Sequence, residues 1–344
     1  MLNLRLTHHA KILLLGALAA VLAHAAPNPR PTELELLQKF PVGRLTALVA
    51  GGKPDARGFV GGNRSEGHWI GVGTQRGGCW YLIGTVVAGD VTRADDAWRS
   101  IDAAFAHQLP DGSFAVGPKT DASPEDPRTA SVQGSFFYLQ ELSHAILVIR
   151  QSPMEPHFHD RITALEPKIR RAAAFITAGY DTIIENSTKA VNRIVIAAKA
   201  FGLTGLVLHD DALIATSRKL VAYALTLRDK EGVFIEKGGR DSSYNAVSIF
   251  FGQVLALHLP LPELEAAYPA AMAWELTRIK PTGEVDVEGN SRTGVGLETY
   301  LGHPKGVNYK EIIFTLTFYG LVHQDTHSLT VADQVFAWSQ SHPQ

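Results

Sequence analysis

Polar and aromatic residues recur wherever an apolar helical stretch of this chain begins, and their types suit one kind of ligand. In Lys237–Asn245 a polar, Gly-containing loop reaches the candidate caps Asp241, Ser242 and Ser243, and Tyr244 and Asn245 then enter the first turn of a helix. Other apolar stretches open with Arg76, Trp80 and Tyr81, with Gln133 and Ser135, with Asn192 and Arg193, and with Asn308, Tyr309 and Lys310. The connecting loops add His68, Arg240, Arg292, Glu298, Tyr300 and His303. Aromatic faces stack on sugar rings, amides bind hydroxyls and guanidinium groups pair with carboxylates. Helix starts contribute unpaired N–H donors and a positive field. Gathered at one mouth, such a set suits an acidic carbohydrate. Each residue also has a structural use: Asn192 and Asp241 as helix caps, Tyr300 and Tyr309 as rim packing, Arg193 as a surface ion-pair partner.

The elements that must gather them are helices. Val247, Phe250, Phe251, Val254 and Leu255 follow the i, i+3, i+4 spacing of a helical stripe, and Ile249 and Leu257 extend the apolar surface almost round the cylinder. Cys79–Ala88, Ala130–Ile149, Lys189–Leu206 and Tyr309–Val322 are similarly apolar. Amphipathic stretches follow them: Val91–Gln108, His157–Thr177, Asp210–Arg228, Leu261–Ile279 and Thr326–Ser339. Pro31–Ala50 reads as a first helix, Gly51–Gly78 as a long loop, and Gly232–Glu236 and Glu284–Val287 as short strands within Gly turns. The pattern is an imperfect repeat of roughly 50 residues. Helices that are apolar all round need cover on every side, so the pattern predicts an all-α fold of two concentric layers. This is an (α/α) toroid, an incomplete double-layered barrel of helical hairpins, with a stacked solenoid as the rival arrangement.

Composition sets the class and compartment. The chain has 344 residues, 45% hydrophobic and 19% charged, with a formal net charge of −2. That balance gives no support for nucleic-acid binding. Arg5 and Lys11, the short apolar run Ile12–Leu22 and Ala23-His24-Ala25 fit a secretory signal peptide over residues 1–25. Residues 26–344 then form a single catalytic domain, periplasmic or secreted, monomeric and free of the membrane after cleavage. The single cysteine, Cys79, reads as a packing residue. His157-Phe158-His159-Asp160 has no spaced partner, so neither a metal nor another cofactor is expected. No phosphate loop, nucleophile elbow or dinucleotide fingerprint is present.

This layout resembles the α/α-toroid polysaccharide lyases, the group of alginate, chondroitin and heparin lyases. The resemblance is architectural and covers most of the chain after the signal segment. It implies cleavage of a uronic-acid glycan by β-elimination, with Asn192 neutralising the substrate carboxylate beside Arg193 and Tyr244 as the acid or base. Amide and guanidinium donors would stabilise the dianion formed when the proton α to the carboxylate leaves. Arg240, near in sequence, is expected to lower the pKa of the Tyr244 phenol. The Asn-His pair of some toroid alginate lyases is replaced here by Asn192-Arg193, so a His base would come from His68 or His303. Trp80, Tyr81, Gln133, Asn245, Arg292, Tyr300, Tyr309 and Lys310 are expected to bind substrate. The alternatives are an inverting glycoside hydrolase acting on unsaturated uronides and a non-catalytic glycan-binding protein. For the hydrolase, Asp111, Asp241, Glu284, Asp286 and Glu298 supply acids, though Asp241 also fits an N-cap of the Tyr244 helix.

Overall fold

Aspartates start five of the helices of this chain. Asp90, Asp126, Asp210, Asp241 and Asp325 each accept a hydrogen bond from a backbone N–H of the following first turn. Such a cap satisfies donors that the helix itself leaves unpaired. The computed structural model describes residues 30–118, 126–294, 297–300 and 303–342. Glu33–Gln344 forms one unit, and Met1–Thr32 forms another in which only residues 30–32 are described. The signal segment expected at residues 1–25 lies outside the described residues.

The helices in chain order are α1 (Glu33–Gln38), α2 (Arg44–Val49), α3 (Gly61–Ser65), α4 (Arg76–Val87), α5 (Val91–Ala106), α6 (Pro127–Arg150), α7 (Glu155–Ala178), α8 (Tyr180–Glu185), α9 (Val191–Leu208), α10 (Asp211–Thr226), α11 (Ser242–His258), α12 (Pro262–Glu265), α13 (Tyr268–Thr277), α14 (Tyr309–His323) and α15 (Thr326–Ser341). The all-α expectation holds. Among the described residues the strands are a two-residue pair, β1 (Thr299–Tyr300) and β2 (His303–Pro304).

Burial separates the helices into two kinds. α4, α9 and α11 are buried along nearly their whole length, as are the later turns of α6 and most of α14. α5, α7, α10, α13 and α15 bury one face only. Each buried helix packs on the half-buried helix that follows it and on the next buried helix in the chain. The first and last of the series also meet: Trp80 of α4 lies 4.7 Å from Phe314 of α14 and 5.6 Å from Phe250 of α11, between ring centroids. α9 has the length and composition to cross a bilayer, but 89% of it is buried in this bundle. Its apolar surface is core.

Two expected elements differ in outline. The helix expected over Pro31–Ala50 is broken into α1 and α2 around Pro41, which has no N–H to continue a helix. The long loop Gly51–Gly78 is ordered by two buried amides. Asn63 Oδ1 accepts from Ile70 N at 2.7 Å and Gly71 N at 3.1 Å, and Gln75 Oε1 accepts from Val60 N at 2.9 Å. They replace the backbone ladder that an irregular segment lacks.

The turns that lead inward are copies of one another. Bridges Gln108–Phe114, Arg228–Phe234 and Ile279–Val285 share one register, and each closes over a glycine: Gly112, Gly232 or Gly283. Gly283 has φ +87°, and a Cβ there would strike the Gln334 carbonyl of α15. Gly283→Ala is therefore expected to lower stability by at least about 2 kcal/mol, from left-handed strain plus the clash. Denaturant unfolding checks this; an unchanged midpoint would contradict the packing described.

Candidate active site

One buried carboxylate assembles the site. Asp241 caps α11 through its Oδ1, 3.2 Å from Tyr244 N. Its Oδ2 accepts from Arg292 N at 2.9 Å and Thr293 N at 2.7 Å. The same side chain thus starts the Tyr244 helix and ties down the loop that carries Arg292. Further bonds sew that loop to the helix start: Ser242 N donates to Asn290 Oδ1 at 3.0 Å, and Ser291 N donates to the Arg240 carbonyl. The N-cap expected of Asp241 is what the structure shows: the cap uses Oδ1, and the Arg292–Thr293 backbone takes Oδ2.

Arg292 lies with its guanidinium carbon 4.3 Å from the centre of the Tyr244 ring and pairs with both Glu236 and Glu298. Lys305 Nζ stands 5.2 Å from the same ring centre and 3.1 Å from Glu298. Lys237 pairs with Glu298 at 2.5 Å. The start of α9 joins this group through the backbone: Ala190 bridges Glu236, and Lys237 N donates to the Lys189 carbonyl. Asn192 and Arg193 follow in the first turn of α9. Asn192 is buried, and its Oδ1 has no partner among the described residues; Glu236 Oε2 is in the same condition. A buried polar atom without a partner is costly.

Electrostatics set the protonation states. Burial pushes the Glu236 carboxyl up to about 7, and the nearby Arg292 and Arg193 only partly offset it. For Glu298 burial also opposes the charge, but hydrogen bonds from Lys237, Arg292 and Lys305 overcome it and hold it at about 2. Burial and the Arg292 charge lower Lys305 to about 8. Burial raises the Tyr244 phenol well above its usual value despite the guanidinium over its ring. Tyr244 is therefore a neutral phenol, and the expected lowering of its pKa is corrected: desolvation outweighs the nearby charge.

Glu236 has a consequence for stability. Its pKa is raised on folding, so its contribution is full below about 4.5 and is lost as pH rises through about 7. Glu275, buried beside Asn245 and raised to about 8, acts in the same sense. Glu236→Gln is expected to flatten the fall in stability between pH 4.5 and 7, leaving the Glu275 portion. Unfolding at a series of pH values reads this directly; an unaltered slope would refute the burial assigned to Glu236.

Other expected residues lie elsewhere. Arg240 bonds Asp229 and Glu231 and lies against Trp274, so it serves the outer turn and not Tyr244. Asn245 is buried toward α13: it accepts from Phe234 N and donates to Ala271 O and Glu275. Tyr309 turns outward, its hydroxyl accepting from Trp338 Nε1 at 3.1 Å. None of these contacts brings the three side chains to the Tyr244 ring. His68 is exposed and bonded to the Glu66 and Pro118 carbonyls, which argues against a catalytic base. Gln133 sits two turns inside α6, because that helix begins at Pro127 and not at Ala130. Tyr81 is buried in the core. Trp80 and Lys310 meet, with Nζ 5.0 Å from the ring centre, but the charges acting on Lys310 are Glu311, Glu141, Arg76 and Lys199, a separate group. Tyr300 and His303 pair through their backbones in the short ribbon, and their side chains lie outside the described residues.

Glu236 and Lys305 are the site residues that the sequence did not point to. The strands expected over Gly232–Glu236 and Glu284–Val287 are only isolated bridges, and Val233, Phe234 and Glu236 are all buried, so no alternating pattern marked Glu236 in the sequence. Comparison with known proteins adds nothing to these observations: no protein-family model matches the chain, and no curated protein matches it significantly.

Proposed function

We propose that the chain is an exported polysaccharide lyase that cleaves a uronic-acid glycan by β-elimination, built on an incomplete (α/α) toroid and acting as a monomer. The observation that carries this reading is the convergence of Arg292, Lys305, Glu236 and Tyr244 at the helix starts that also carry Asn192 and Arg193. Cations and an amide suit the substrate carboxylate, and a carboxyl group titrating near neutrality lies beside a neutral phenol.

The steps follow from those states. Asn192, Arg193 and Arg292 neutralise the uronate carboxylate, which acidifies the C5–H bond. Glu236 takes the C5 proton through its unpartnered Oε2. The freed pair forms the C4=C5 double bond, the C4–O bond breaks, and Tyr244 gives its proton to the departing oxygen. Arg292 stabilises the phenolate until the proton held by Glu236 is returned through solvent.

One observation favours a second reading. Glu236 and Glu298 flank Arg292 with pKa values driven apart, to about 7 and about 2, the pattern of a glycosidase acid and its partner carboxylate. Product masses separate the two. Elimination adds no atoms, so the fragment bearing the C4=C5 double bond is one water lighter than its hydrolytic counterpart, whereas hydrolysis adds one water. Fragments that all carry the hydrated mass would replace the lyase with the hydrolase.

A further inference from the structure

The far ends of the buried helices carry a cluster that no step above uses. Glu33 opens α1, His144 lies in α6 and His258 ends α11. Glu33 Oε1 is 2.6 Å from His144 Nε2, and Glu33 Oε2 is 2.6 Å from His258 Nε2. One potential ligand atom from each of the three residues lies within 4.8 Å of the others. Glu33 and His144 are fully buried, and the His258 side chain is only 5% exposed.

We infer that Glu33, His144 and His258 form a structural site for a divalent transition metal of the zinc type. Two imidazole nitrogens are borderline donors that suit zinc and not calcium or magnesium, and a carboxylate is an ordinary third zinc ligand beside them. Glu33 directs one oxygen at each imidazole, and the three residues together supply three donors, leaving the fourth tetrahedral position to a water. Tetrahedral zinc ligands stand about 3.3 Å apart, so the two 2.6 Å contacts need to open by less than about 1 Å. The surroundings already resemble a metal site's outer sphere. Glu141 Oε2 is 3.1 Å from His144 Nδ1, and Lys199 Nζ holds the same oxygen at 3.0 Å. A bound ion would replace the proton that His144 Nε2 shares with Glu33, while Nδ1, 3.1 Å from Glu141 and 3.3 Å from Lys199 Nζ, keeps its proton toward Glu141. Trp80 packs edge-on against this ring at 4.9 Å. A bound ion would pin the N-terminal helix to α6 and α11, joining residues 111 and 225 positions apart.

The test uses the full chain, stripped with a chelator and dialysed against zinc or cobalt alone. The expected result is one zinc per chain by elemental analysis, tetrahedral visible bands with cobalt, and a zinc-dependent rise in Tm. Glu141→Gln is expected to weaken binding about 10–100-fold as an outer-sphere change. His258→Gln, at the end of its helix, should abolish stoichiometric binding with an unchanged circular dichroism spectrum. Absence of retained metal in the wild type, or equal retention in folded His258→Gln, overturns the inference. If His258→Gln does not fold, the wild-type cobalt spectrum decides, because the 14 histidines of the chain would otherwise give only weak, dialysable binding.

Discussion

Tyr244→Phe is expected to lower kcat on a cleavable uronate glycan by about 10³-fold, within the range for losing a positioned proton donor. KM should change little, because the ring that Arg292 and Lys305 cover is kept. Fold and stability should also persist: the backbone N–H of Tyr244 remains capped by Asp241, and its phenolic hydroxyl has no hydrogen-bond partner among the described residues. The split between kcat and KM is the informative readout. A loss confined to KM would make Tyr244 a binding surface and remove it from the chemistry. Steady-state kinetics with a fold check by circular dichroism measures both.

The second large effect is on stability. In the metal-free chain Glu33→Ala is expected to cost about 3–5 kcal/mol, because it removes the anion shared by two buried histidines. The pH dependence follows the sign of the shift. Burial opposes the Glu33 charge, but His144 and His258 overcome it and hold the carboxyl at about 2, below its ordinary value. Its contribution is therefore present above about 4.5 and is lost as pH falls toward 2. Denaturant unfolding of the variant at neutral and acidic pH checks this. A cost that stays the same at low pH would show that lost packing, and not the lost charge, is responsible.

Helix identity was legible in the sequence because burial leaves a periodic trace. The all-round apolar stretches around Phe201 and Phe250 are the buried helices, and the mixed stretches are half-buried. The site was legible only where a residue's backbone position dictates its direction. Asp241 had to cap its helix, and Tyr244 followed in the first turn. Arg240 and Asn245 are as close to Tyr244 in sequence, yet strand-like alternation and helical rotation aim them outward, to Asp229 and Glu275. Arg292 reaches the ring from 48 positions away, through a loop held by Asp241, and that tie is tertiary. The Glu33–His144–His258 cluster has the same character. Its members are separated by 111 and 225 positions, so no local spacing could announce it.

The central claim is β-elimination at the Tyr244 mouth. The most direct measurement is ultraviolet absorbance during incubation of the wild-type chain with alginate, glucuronan, hyaluronan, chondroitin and heparin. The account predicts rising absorbance from an unsaturated uronide on at least one of them, abolished by Tyr244→Phe and by Asn192→Ala in folded protein. New reducing ends without that absorbance, or a rise that survives both substitutions, would contradict it.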